Sequence, residues 1–252
     1  MLESLVGKIL RRILIPLVIV LAVVAIGDRV ANYLVERRIA TEVADTADSY
    51  GAYSDQRPDV TVHGWPFLTQ AWSGEFEQID ITLSDVGAEG LTFPSLELVA
   101  YDVAADWREL RDGGDVVAQD LDVAGTVSTA SVAQLLSERT GYDVAVADDG
   151  TATITASVEF TNPITGQATP VDVEATGQLE LGDGTLSMTP DAIRSLTEGL
   201  PDGADQYIEQ AASGLGTTVE LPELPYNIQL TELGFSGGNV EISGSASEVT
   251  LT

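Results

Sequence analysis

"VTVHGWPFLTQAWSGEFEQIDI", Val60–Ile81, starts and finishes in one period and breaks it in the middle. Val60 and Val62 alternate with polar residues, and so do Ile79 and Ile81, which is the spacing of strands with one buried face. Between them lie Trp65, Pro66, Phe67, Leu68 and Trp72, with His63, the chain's only histidine. Pro66 donates no amide hydrogen and so interrupts a strand ladder. The stretch therefore reads as two strands joined by an aromatic turn. Phe67 and Leu68 are expected to face inward and cap the sheet, while Trp65 and Trp72 suit a boundary between water and apolar surface. Thr69 and Gln70 are expected to bond local backbone and hold the turn.

Downstream the two-residue period persists. It runs through Leu83, Leu96 to Ala100, Leu121 to Val127, Val144 and Val146, Ile154 to Phe160, Val171 to Leu181, Ile228 and Leu230, Val240 and Ile242, and Val249 and Leu251. Turn sequences "RDGGD", "DDG", "NPITG", "GDG" and "SGGN" separate the runs. Alternation predicts antiparallel sheet with one wet face. Two helices interrupt it. "TASVAQLLSERTG" carries Val132, Leu135 and Leu136 on one side and stops at Gly141; the second reading starts a helix at "TPD", residues 189–191, breaks it at Pro201 and resumes it to about Ser213. No linker divides residues 28–252, which are expected to form one domain.

Upstream, Ala31, Val35, Ile39, Val43 and Ala47 recur every four residues, with Val30 and Leu34 beside them. This predicts an amphipathic helix of about 33 Å, capped by Asp28 and followed by Gly51. Before it, Lys8, Arg11 and Arg12 precede an unbroken apolar run, Ile13 to Ile26. A signal peptide with Val23-x-Ala25 as its cleavage motif is one reading of residues 1–27. The other, favoured because helical spacing continues without a loop, is a retained anchor. In both, the basic flank stays inside and residues 28–252 lie outside the cytoplasm.

The charge is lopsided, with a formal net of −29. No lysine follows Lys8. Such a surface repels phosphate backbones, which argues against nucleic-acid binding. Cysteine is absent, which excludes disulfides and thiolate chemistry. Catalytic motifs are weak. "GFSGG", Gly234–Gly238, matches G-x-S-x-G but sits between strands, with His63 far upstream, and reads as a tight turn. His63 reads as a strand-end residue. Glu75, Glu77 and Asp80 beside the tryptophans are the carboxylates that a carbohydrate-active enzyme would use.

The core Gly64, Trp65, Pro66, Phe67, Leu68, Thr69 and Gln70, followed by Gly74, Phe76, Ile79 and Ile81, resembles the motif of the LmeA-like family of actinobacterial cell-envelope proteins. The order of apolar segment, amphipathic helix, motif, strands and late "LPELPYNIQLTEL" is similar as well. The resemblance implies an α+β, mostly β fold: a strongly curved antiparallel sheet wrapping a long N-terminal helix, tubular and lipid-binding-like, with two shorter helices. It implies a non-catalytic protein, without cofactor, that holds the acyl chains of phospholipids, phosphoinositides included, in an apolar cavity and supports lipoglycan (lipomannan-type) assembly on the extracytoplasmic side of the plasma membrane. Lipid contacts are then expected from Trp65, Phe67, Leu68, Trp72, Phe76, Val35, Ile39 and Val43. Acyl chains need no cation to hold them, since each buried CH2 is worth roughly 0.8 kcal/mol. A headgroup phosphate leaves Arg57, Arg108, Arg111, Arg139 and Arg194 as candidates, Arg57 first because it precedes the motif. A structural or scaffolding envelope module is the rival expectation, and a carbohydrate-active enzyme the more distant one.

Overall fold

The computed structural model describes residues 2–49, 51–88, 91–105, 115–161, 168–182, 184–198, 204–221 and 224–251, with side chains from Leu17 on except at positions 88, 91, 204, 205, 207, 211, 213 and 225. The apolar run and the amphipathic segment form a single helix, α1 (Leu2–Ser49), with no break at Asp28. Residues 17–27 are exposed on every side, whereas Ala31, Val35, Ile39 and Val43 are partly buried and Ala40 is buried. Val30 and Leu34, expected beside the buried stripe, are exposed; the helix turns them away from the body. The helix ends where Gly51 adopts a left-handed conformation at φ +77, which only glycine reaches without steric cost.

Strands β1 (Asp59–Val62), β2 (Glu75–Ala88), β3 (Leu91–Ala104), β4 (Val117–Ser128), β11 (Gln229–Ser236) and β12 (Asn239–Thr250) form the first sheet, in the order β1-β2-β3-β4-β12-β11. The second holds β5 (Asp143–Val146), β6 (Thr151–Thr161), β7 (Ala168–Gly182), β8 (Thr185–Met188), β9 (Ala192–Ser195) and β10 (Thr217–Glu220), in the order β10-β8-β7-β6-β5, with β9 on β7. All pairings are antiparallel. Neither sheet is strongly curled or closed. α1 lies along β1 and the short helix α2 (Phe67–Ser73), at one edge of the first sheet.

Helix α3 (Thr129–Thr140) follows its predicted bounds. Ser128 Oγ accepts the Ser131 amide at the N-terminus, and Gly141 closes the other end by donating its amide to Ser137 O. Val132 and Leu136 are buried, with Leu135 between them partly so. Helix α4 (Ala204–Ala212) packs Ile208 and Ala212 on Val171, Val173 and Ala175 of β7. The helix expected from Thr189 is wrong in its first part. Residues 192–195 are strand β9, paired with Val173–Thr176. The cause is tertiary: β8 covers only Leu179–Gly182, which leaves that length of β7's edge open, and an edge with free amides captures strand. Pro201 and the "NPITG" turn lie outside the described residues.

Two cores organise the first sheet. At one end Phe67, Val60, Val62, Ile79, Ala100 and Leu121 pack with Ala40 of α1. At the other, Val127 and Val240 join α3 and the second sheet through Ile154, Leu179 and Met188. There Gly150, at φ +83, lies flat under the Phe235 ring, where any Cβ would clash.

Candidate functional site

The aromatic stretch is a helix where a turn was expected. Its first residue follows Pro66, which offers no side-chain cap. The cap comes instead from α1: Asp28 Oδ1 accepts the Leu68 amide at 2.7 Å, satisfying one of the free donors at a helix start. Asp28 thus caps a helix forty residues downstream, and not α1, which runs through it unbroken. One turn on, Asn32 Nδ2 donates to Glu36 Oε1 at 3.1 Å, and that same oxygen accepts the Val62 amide on the outer edge of β1. Asp28, Asn32 and Glu36 recur at four-residue spacing and face the body. Asp28 and Asn32 are buried, at 2% and 8% exposure. Asp28 Oδ2 and Asn32 Oδ1 have no partner there.

Gln70 staples the motif's two ends. Its Nε2 donates to His63 O and its Oε1 accepts the Glu77 amide, both at 3.0 Å. Gly64, at φ +98, makes room for it: a Cβ there would overlap the Gln70 amide. Gln70 therefore does what was expected of it. Thr69 is exposed and bonds only through its backbone, to Pro66 O.

α2 sorts the expected site residues into two groups. Phe67 is buried, with Phe76 partly buried against it at a ring separation of 6.0 Å, and Val35 and Ile39 join the same core. Val43 is partly buried two turns further along α1 from Val35. Leu68 points outward at 45% exposure, against expectation, because consecutive helical residues diverge by about 100°. Trp65 and Trp72 are outside as well, at 68% and 74%.

Arg57 is exposed just before β1, at the opposite end of that strand from the motif, so the structure does not bring it to the tryptophans. Arg194 is paired with Glu174 at 2.7 Å, and the carboxylate holds its guanidinium above the ordinary arginine pKa. Arg139 closes the last turn of α3. Arg108 and Arg111 lie outside the described residues. Of the three carboxylates, Asp80 is engaged by His63 at 2.6 Å and by Gln78 at 2.7 Å, while Glu75 and Glu77 stand exposed on β2. "GFSGG" is the β11–β12 turn, with Gly237 and Gly238 at positive φ.

Strand register exposes a feature that sequence reasoning missed. Residues paired across neighbouring strands share a face. Val62, Ile79, Ala100 and Leu121 make one row of the first sheet, under α1 and α2. Val60, Ile81, Leu98 and Val123 make the next; Leu83, Leu96, Gly125, Ile242 and Leu233 the third; Val127, Val240 and Phe235 the last. The first and last rows sit in the two cores. Between them Ile81, Leu98, Val123, Leu96, Ile242 and Leu233 are only partly buried. The apolar face is thus continuous over roughly 20 Å, six residues at strand rise, and is less deeply buried in its middle, where Ile81, Leu98 and Val123 pack at the margin of one core and Ile242 and Leu233 at the margin of the other. The other face of these strands is polar. It holds a shallow groove of about 170 Å3 lined by Ser95, Glu97, Thr126, Glu241 and Ser243 among others, below the roughly 300–1,000 Å3 of small-molecule pockets.

A family model described as LmeA-like phospholipid-binding matches residues 26–245 of the chain. No curated protein and no solved structure matches it.

Proposed function

Because the chain belongs to the LmeA-like phospholipid-binding family, we propose that it is a non-catalytic lipid holder of the cell envelope, anchored by α1 with residues 28–252 forming one body on the extracytoplasmic side. Lipid tails lie along the less deeply buried middle of the first sheet's apolar face. Ile81, Leu98 and Val123 supply the floor, and Phe67, Phe76, Val35, Ile39 and Val43 close the end nearest α1. The enclosing, tubular curvature that the resemblance implies belongs to the loaded state, in which the open sheet curls around the tails. Arg57, exposed at the β1 edge, is the candidate for the headgroup phosphate. Support of lipomannan-type assembly is the role this capacity would serve.

One observation carries the reading: a ladder of large aliphatic side chains, only partly buried, that runs from the margin of one core to the margin of the other. Soluble proteins rarely leave contiguous apolar surface without a use for it. The test is native mass spectrometry of residues 28–252 after mixing with phosphatidylinositol or phosphatidylcholine vesicles. One phospholipid per chain is expected, with Val123→Glu abolishing it and Glu97→Gln, on the polar face, leaving it intact. A folded, lipid-free protein with both vesicles would overturn the reading. Equal uptake of the two lipids would remove phosphoinositide preference alone.

A further inference from the structure

We propose that the outward side of α2, with Trp65, Leu68 and Trp72, is a second membrane contact that seats in the headgroup–acyl boundary of the bilayer α1 enters. The proposal rests on the anchor reading of α1 but not on the lipid cargo.

Four observations converge. Height comes first. The apolar run of α1 ends at Ile26, and α2 is tied at Leu68 to Asp28, about 3 Å further along the axis at 1.5 Å per residue. A bilayer that accepts the run up to Ile26 therefore has its polar boundary at the level of α2, and interfacial helices bury about 5–10 Å into that boundary. Sidedness is second. Phe67 and Ala71, four apart, face the core, while Leu68 and Trp72, also four apart, are exposed, with Trp65 beside them. The helix thus buries one apolar pair in the core and leaves a second apolar pair facing outward. Composition is third. From Val60 to Gly74 the sequence has no Asp, Glu, Lys or Arg, although the chain carries 40 acidic residues; an acidic surface has been cleared where a negatively charged headgroup layer would meet it. Fourth, α1 presents Arg29 and Tyr33 exposed about 5 and 10 Å beyond Ile26, with Arg37 reaching back over the Tyr33 ring at 5.8 Å. Tryptophan and tyrosine are the residues that populate both membrane interfaces.

The test uses the full chain reconstituted in phosphatidylcholine–phosphatidylglycerol vesicles whose acyl chains are brominated near the headgroup. Trp107→Phe confines emission to Trp65 and Trp72. Blue-shifted emission that loses most of its intensity to the bromines is expected, and it must persist in the Val123→Glu chain, which is expected to hold no cargo. Because the chain has no cysteine, an environment-sensitive dye on Leu68→Cys gives an independent readout, shielded from aqueous iodide, with Glu248→Cys as the accessible control. Vesicle co-flotation that survives alkaline carbonate reports on α1 separately. Loss of co-flotation overturns the anchor and the docking together. Retained co-flotation with unquenched emission and an iodide-accessible dye overturns the docking alone, and leaves the tryptophan face to a protein partner. Quenching that disappears with Val123→Glu assigns the bromines to cargo and also overturns the docking.

Discussion

Asp28 shows how far a single carboxylate can act. It stands where an apolar run gives way to polar sequence, which is why it reads as the start of a helix. Its oxygen instead serves the Leu68 amide, forty residues on. No local spacing announces that partner, since the contact exists only after β1 has returned the chain to α1. Asp28→Ala is expected to destabilise the protein by about 1–3 kcal/mol, the cost of leaving a buried donor unserved, whereas Asp28→Asn keeps an acceptor and should cost less; urea denaturation followed by circular dichroism distinguishes them. Gly64 was legible as part of a motif, but not for its reason. Its φ of +98 and the Gln70 amide against it exclude any side chain. Gly64→Ala is expected to cost roughly 1–3 kcal/mol by backbone strain alone, and Gln70→Ala to free the motif's ends and raise amide exchange at Glu77.

Long elements were readable throughout, and the four-residue β1 and β5 showed only through the clean alternation of Val60 with Val62 and Val144 with Val146. The alternating runs that became β2, β3, β4, β6, β7 and β12 span 11 to 15 residues each, enough to display a period. α2, β8, β9 and β10, of four to seven residues, carry too few repeats to show one. β9 was misread because a Thr-Pro-Asp start resembles a helix N-terminus, while the open edge of β7 that decides its fate is invisible in local sequence. The two sides of α2 make opposite predictions. Phe67→Ala is expected to cost about 3–5 kcal/mol, as for other buried aromatics. Trp72→Ala, on the exposed side, should cost clearly less, about 1 kcal/mol or below. Chemical denaturation of both variants checks the pair, and equal losses would show that the tryptophan side is structural packing.

At the scale of the molecule, the cores differ in what they join. One binds α1 and α2 to the first sheet, and the other binds the first sheet to the second through Val127, Val240 and the Gly150–Phe235 contact. In the Trp107→Phe chain, unfolding watched by tryptophan emission, which then reports on α2 beside α1, is expected to coincide with unfolding watched by far-ultraviolet dichroism. Gly150→Val, which wedges the Phe235 ring away, is expected to separate the two curves. The topology of the second sheet and the partly buried row of Ile81, Leu98 and Val123 were not legible beforehand. Alternation tells which residues share a face, and only register tells what covers them.

α1 passes from its apolar run to Ser49 with no joint, and Asp28 and Glu36 lash it to the body on the way. A mast stepped in this way cannot swing. Its first tie, at Asp28 two residues beyond Ile26, fixes the height of the body above the apolar run. Whole turns inserted between Ile26 and Asp28 should therefore lift the body by about 5 Å each, whereas turns inserted between Glu36 and Ser49 should leave its height unchanged.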